Sequence, residues 1–391
     1  MNPFTSEEFN QTGFDTRRLF CLLLGLSLFV IVFFSPAWPD AVDPTGETFP
    51  LTREAKGALA IFLLAGVWWV TEVVPIGVTS LTIGLMQVLF LVRSAKQSFN
   101  DFMDPSVVFI FASIVIGMVF SKTGLTRRVA YKMLAIVGER TSMIYLGCFF
   151  VTAALTLFMA HTAVAATIYP LLLAIYALYG AREEATKFGK GLFIGMAYVA
   201  GAGSIITLLG AARGAVAISF FKEIVGREIS FFQLTYYMAP IGILMVLLLW
   251  VYFMIFLKPE KKTIPGLREK AKELNASLGK MTFEEILAAV LVVAMISTMS
   301  LRSFIPALKV VDKSAIILIS TVLFFVFRIL DIDDLEQVPW NIILLFGGAM
   351  SIGYCLYETG AAQWLAINWL TMFKNAHWFV FIMAFSFFVL M

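Results

Sequence analysis

Charge is scarce in this chain. Only 14% of its 391 residues are Asp, Glu, Lys or Arg, while 60% are hydrophobic, and the mean hydropathy is +0.89. Uncharged runs at residues 73–92, 141–181 and 229–257 carry more apolar surface than a globule in water can bury. A soluble enzyme is thereby excluded and a polytopic membrane protein follows. Net charge is small too: 29 Lys and Arg against 26 Asp and Glu leave +3. That makes no polyanion-binding surface and removes nucleic acid from the expected partners. Cys21, Cys148 and Cys355 sit far apart inside apolar runs, as small core residues rather than as a disulfide or metal set. HExxH, CxxC and GxxxxGK[ST] are all missing, and with them the usual signatures of hydrolytic metal centres, thiol redox sites and nucleotide-driven pumps. Secondary transport or passive conduction is what remains. No enzymatic activity and no resident cofactor are expected.

What the chain does have is spans. Arg17 and Arg18 precede twenty uncharged residues, 19–38, long enough to cross a bilayer and without the small-residue signature of a cleaved leader. Further spans are expected at 57–74, 76–92, 106–121, 191–221, 235–257, 286–301, 314–330 and 340–357. With the N-terminus placed in the cytoplasm, Lys and Arg concentrate on the cytoplasmic side, most densely between Lys258 and Lys280. The positive-inside rule favours that orientation, in a cell membrane (inner or plasma).

The run 141–181 holds 41 residues without one charge, and its midpoint is His161, in Met159-Ala160-His161-Thr162-Ala163. It is long enough for two full spans, but a loop between two spans emerges into water, and Ala-His-Thr-Ala is poor turn chemistry. The alternative is a re-entrant hairpin whose tip stops near the bilayer midplane, where broken backbone is tolerated if it lines protein or a watery cavity.

Two stretches share a pattern, Gly117-Met-Val-Phe-Ser-Lys-Thr123-Gly124 and Gly353-Tyr-Cys-Leu-Tyr-Glu-Thr359-Gly360, offset by 236 residues. The span pattern repeats at the same spacing, with an odd number of crossings in the first copy, so the second copy inserts upside down. The expected fold is all-α: a polytopic membrane protein with inverted-topology repeats, re-entrant hairpins and discontinuous helices. Residues 1–56 form an N-terminal span and outer loop. Residues 57–257 form the first repeat, with its hairpin at 141–181 and a broken helix at 191–221. A cytoplasmic linker follows at 258–282, and 283–391 begin a second repeat. The counterpart of His161 would fall beyond Met391, so the second hairpin is expected to be incomplete and the sequence truncated.

Helices that end inside the membrane present uncapped N–H groups and a positive dipole end, which suit a carboxylate or sulfate oxygen. Arg213 adds a planar guanidinium fork, costly within a membrane unless it faces a cavity, an acid or a ligand. His161, Thr162, Thr207, Ala211 and Arg213 are therefore the candidate substrate-binding residues. His161 is also the candidate to carry a coupled proton.

Several segments resemble the divalent anion:sodium symporter family, the dicarboxylate, citrate and sulfate carriers. They are Trp68-Trp69-Val-Thr71-Glu72-Val-Val-Pro75, Phe109-Ile-Phe-Ala-Ser, Lys122-Thr-Gly-Leu-Thr-Arg-Arg128, Gly195-Met-Ala-Tyr198, Gly201-Ala-Gly-Ser-Ile-Ile-Thr207-Leu-Leu-Gly210 and Pro339-Trp-Asn-Ile-Ile-Leu-Leu-Phe-Gly-Gly348. The resemblance implies an elevator transporter, usually a homodimer, that carries small anions with sodium. It also implies Ser-Asn-Thr hairpin tips and Gly-Thr-Pro-Pro-Asn-like helix breaks. This chain keeps only the threonine of the first tip, in Ala160-His161-Thr162, and only the leading glycine of the first break, Gly210-Ala211-Ala212-Arg213-Gly214. The resemblance makes Ala160, His161 and Gly210 the candidate cation-binding residues, with sodium near Ala160 and Gly210. The expected function is cation-coupled transport of a di- or tricarboxylate or sulfate. Anion exchange, passive anion conduction and a non-transporting receptor stand as alternatives.

Overall fold

The computed structural model describes residues 16–43, 45–180, 186–373 and 376–390. The first fifteen residues of the expected N-terminal segment, Ala181 at the end of the expected hairpin and Met391 lie outside the described residues. Among those described, seven helical runs are long and apolar enough to cross a bilayer, and four shorter apolar helices accompany them. Strand is confined to the small hairpin of β1 (Ala41–Val42) and β2 (Thr48–Phe49). The chain is an all-α polytopic protein, integral to a membrane. It divides into two compact units, one made of the residues up to Asp104 with those from Pro339 onward, the other of Pro105–Val338.

In the first unit α1 (Thr16–Phe34) packs along α2 (Arg53–Thr71). The start of α2 is set by Thr52, whose hydroxyl accepts from the Ala55 N–H at 3.1 Å, and by Glu54 in the first turn, which suits the positive end of the helix dipole. Glu72 adopts left-handed backbone (φ 50°) and ends α2. Pro75 then opens α3 (Ile76–Leu89). Phe29 and Phe33 meet Phe90 edge-on, with ring centres 4.6 and 5.0 Å apart. After α4 (Ala95–Asn100) and a single 3-10 turn, the unit is completed by α17 (Trp340–Glu358), α18 (Ala361–Met372) and α19 (Trp378–Leu390). α17 lies against α3. The approach is close enough that a Cβ on Gly348 would sit 2.5 Å from the Ser80 Cβ, so only glycine fits there.

The second unit contains α5 (Pro105–Thr123), α6 (Leu125–Val137), α7 (Thr141–Leu155), α8 (His161–Tyr179), α9 (Lys187–Ser204), α10 (Ala212–Val225) and α11 (Phe231–Phe256). These are followed by α12 (Leu267–Ser277), α13 (Phe283–Leu301), α14 (Pro306–Lys309), α15 (Lys313–Val326) and α16 (Ile332–Glu336). α5 packs on α15 and α12 on α6. α7 and α8 are joined by residues 156–160, and α9 and α10 by 205–211.

Two corners share one backbone design. After α3 the Gln87 carbonyl accepts from the N–H groups of Val92 and Arg93, Leu91 has φ 55°, and a Ser94–Gln97 capping box opens α4. After α15 the Phe324 carbonyl accepts from Ile329 and Leu330, Arg328 has φ 56°, and an Asp331–Asp334 capping box opens α16. The helices lying against α3 and α15 match as well. The Thr123 hydroxyl bonds back to Val119 in α5 and the Thr359 hydroxyl to Cys355 in α17, each followed by a left-handed glycine, Gly124 or Gly360.

The linker is less free than its charge suggests. The Glu260 carboxylate accepts from the Lys187 N–H (2.6 Å), the Phe188 N–H (3.3 Å) and the Tyr179 hydroxyl (2.9 Å). Lys261 donates from Nζ to the Tyr179 carbonyl at 2.5 Å, and the Thr141 hydroxyl donates to the Lys261 carbonyl at 2.9 Å. Burial pushes the Glu260 carboxyl up, but the backbone N–H groups and the Tyr179 hydroxyl outweigh it and hold the group below the usual carboxylate range. Residues 258–266 thus belong to the base of α7, α8 and α9. In α12, Leu267 and Ala271 are buried, because every third or fourth position of that basic helix is apolar.

Candidate functional site

The connection between α7 and α8 and the connection between α9 and α10 are bonded to each other. The Thr207 hydroxyl donates to the Leu157 carbonyl at 3.0 Å. The Gly210 carbonyl accepts from the His161 N–H at 3.3 Å and lies 3.3 Å from His161 Nδ1. A carbonyl only accepts, so this geometry assigns a proton to Nδ1. Gly210 has no room for a side chain: a Cβ would stand 2.5 Å from the Thr156 carbonyl oxygen and 2.6 Å from that of Ser204. The bare backbone at 210 is what lets the two connections meet.

Two helices start here. Ala160 precedes α8 and Ala211 precedes α10, and neither provides a side-chain cap. The first-turn N–H groups of Thr162, Ala163, Ala212 and Arg213 are therefore available to water or to an anion, at the positive ends of two dipoles. Thr162 and Arg213 are exposed, His161 and Ala160 half-buried, and Thr207, Gly210 and Ala211 buried. Among the described residues no carboxylate pairs with Arg213. Ala160, His161, Thr207 and Gly210 are thus drawn together by hydrogen bonds or chain adjacency, while Thr162, Ala211 and Arg213 occupy the helix starts themselves. Thr207 spends its hydroxyl proton on Leu157, and the Gly210 carbonyl is occupied by His161.

The sequence matches the family described as Sodium:sulfate symporter transmembrane region over residues 17–391. The chain belongs to this family. Similar proteins within reach of the symporter family include the sodium-dependent dicarboxylate transporter SdcS of Staphylococcus aureus (strain MRSA252) and its namesake in Staphylococcus saprophyticus. Each is 26% identical over 385 residues, covering 93% of this chain and 72% of the relative.

One polar cluster of this symporter-family chain escapes sequence reasoning. In the first unit the Arg93 guanidinium, 4% exposed, pairs with Asp101 at 2.6 Å and with Glu358 at 2.9 Å. Its Nη2 donates to the second Glu358 oxygen at 3.0 Å. Gln87 binds the Ser351 hydroxyl through Nε2 (2.9 Å) and accepts from the Ser98 hydroxyl (3.2 Å). The network joins α3, α4 and α17. The 236-residue offset is the one signal that bears on it, since it aligns Glu358 in sequence with Lys122, a charge at the same helix end.

Proposed function

We propose that this protein is a secondary active transporter that carries small divalent anions, di- or tricarboxylates or sulfate, together with sodium, as a homodimer working by elevator-type alternating access. The observation that carries this reading is the junction of two uncapped helix starts through Gly210. Two dipole ends and their free N–H groups suit one carboxylate or sulfate face. The Arg213 fork and the Thr162 hydroxyl extend that donor set, His161 offers its ring edge, and Thr207 and Ala211 shape the buried wall. The names of the Staphylococcus relatives support dicarboxylate as substrate and sodium as coupling ion.

A sodium ion near Ala160 and Gly210 competes with His161 for the Gly210 carbonyl. That competition favours a second reading, in which His161 carries a coupled proton instead. Labelled succinate, citrate and sulfate uptake into proteoliposomes under imposed sodium or proton gradients tests both. Sodium-driven accumulation above equilibrium supports the first reading, and accumulation driven by protons alone supports the second. Flux that only equilibrates points to a channel, strict counterflow to an exchanger, and binding without flux to a receptor. Arg213→Ala is expected to weaken anion binding by about tenfold or more, the loss of a charged hydrogen-bond donor, with helix content unchanged. Unchanged affinity in that folded variant removes Arg213 from the site.

A further inference from the structure

Arg127 and Tyr131 take no part in the junction at the hairpin tip. Four residues apart on α6, they share a helix face and line a cavity of about 490 Å³ in the second unit. Ser121 of α5, Thr126 of α6, and Thr167 and Pro170 of α8 line it with them. No carboxylate stands in that wall. Neighbouring cations are committed elsewhere: Arg128 to Glu285 at 2.9 Å and Lys122 to Asp331 at 3.1 Å. Among the described residues the Arg127 guanidinium and the Tyr131 hydroxyl have no partner.

The cavity lies along the path to the tip. Thr162, Ala166 and Pro170 fall at four-residue steps on α8 and are exposed, a strip that spans about 12 Å of helix. α5 runs beside it, close to the tip at Gly117, where a Cβ would lie 3.5 Å from Ala163 and Met159. Farther along, the Ser121 and Thr167 hydroxyls are 3.2 Å apart.

We propose that this cavity is a staging subsite for the transported dianion, resting on the dianion transport proposed above. The Arg127 fork and the Tyr131 hydroxyl hold one carboxylate or sulfate face, and the ion then passes along the α8 strip to the helix starts at Thr162 and Arg213. An uncompensated guanidinium raises the local anion concentration. Its exposure keeps the grip weak enough to release. The other source of the same chemistry is an anionic lipid headgroup, since an apolar groove lined by Leu134, Ile175, Leu178 and Leu267 adjoins the cavity through Leu171, Ala174 and Leu274. Thr126 donates to the Phe120 carbonyl, Thr167 to that of Ala163 and Ser121 to Thr167, so the Tyr131 hydroxyl is the wall donor left for a ligand, and with the exposed strip towards the tip it favours the small dianion.

The test is initial-rate uptake of succinate and of sulfate by the full chain in phosphatidylcholine proteoliposomes, with size-exclusion profiles confirming folded variants. Arg127→Gln is expected to raise KM about tenfold with the maximal rate nearly unchanged, as for loss of a charged hydrogen bond made outside the rate-limiting step. Tyr131→Phe is expected to raise it about threefold, within the range of a neutral hydrogen bond. Lys132→Gln removes an equal charge from an exposed neighbour that does not line the cavity, and should leave KM alone. An unaltered KM in Arg127→Gln, or an equal shift in Lys132→Gln, overturns the subsite while leaving the transport reading intact. An Arg127→Gln effect that appears only when phosphatidylglycerol is added assigns the cavity to lipid and also overturns it. A wild-type chain that moves neither anion overturns both.

Discussion

The corner after α3 and the corner after α15 follow the same backbone plan with opposite charges. At the first, Arg93 precedes the capping box and Glu358 ends the opposing helix, with the guanidinium sealed at 4% exposure. At the second, buried Leu330 stands where Arg93 does, and the positive charge comes from Lys122, at the position of Glu358. Lys122 is 40% exposed and pairs with Asp331 and Asp334 of the capping box. The turn, the left-handed residue and the cap are common to both corners, while the ion pair has opposite sense and only the first includes a buried cation. The backbone frame is thus separable from the charges that staple it, and the burial of Arg93 predicts the stronger staple at the first corner.

The strongest way to break that contrast is Arg93→Met. It leaves the Asp101 carboxylate buried without its cation, which is expected to cost about 3 kcal/mol or more, read as thermal unfolding in detergent. Lys122→Met should cost under about 1 kcal/mol, as exposed pairs do. Equal losses in the two variants would mean that burial does not separate the corners.

Double-mutant cycles sharpen the point. The coupling between Arg93 and Asp101, 4% and 11% exposed, should exceed that between Lys122 and Asp331 and survive molar salt, whereas the second should vanish there.

The smallest effect concerns an intermediate case, Arg302 with Glu228, joined at 2.8 Å and 10% and 24% exposed. Burial pushes Glu228 up, but the Arg302 hydrogen bonds and charge outweigh it and hold it below its ordinary value. A carboxylate with a depressed folded pKa stabilises the fold above its unfolded value and loses that contribution as pH falls through the folded one. Melting temperature should therefore decline on acidification below the ordinary carboxylate range, and Glu228→Gln should flatten part of that decline.

Much of this was legible in the sequence because membrane helices announce themselves by length and lack of charge. The stop near Ala160 was legible too, at the midpoint of an uncharged run of 41 residues, and the one near Gly210 through the resemblance to the symporter family's helix break. Arg93 was not. Its carboxylate at Glu358 lies 265 residues away, and no local periodicity marks an arginine at a helix end as buried rather than interfacial. The contacts of the first half of the linker were hidden for a related reason: Glu260 and Lys261 are exposed in a basic stretch, and only the fold brings the start of α9 and Tyr179 to them.

Because Thr156 and Ser204 press on Gly210, the innermost surface of the junction is peptide rather than side chain. Substitution can then alter side chains only at the rim, at residues 161, 162 and 213, while the floor stays peptide under any change the fold survives. The outer chemistry of the junction is thus free to vary over a floor that is not.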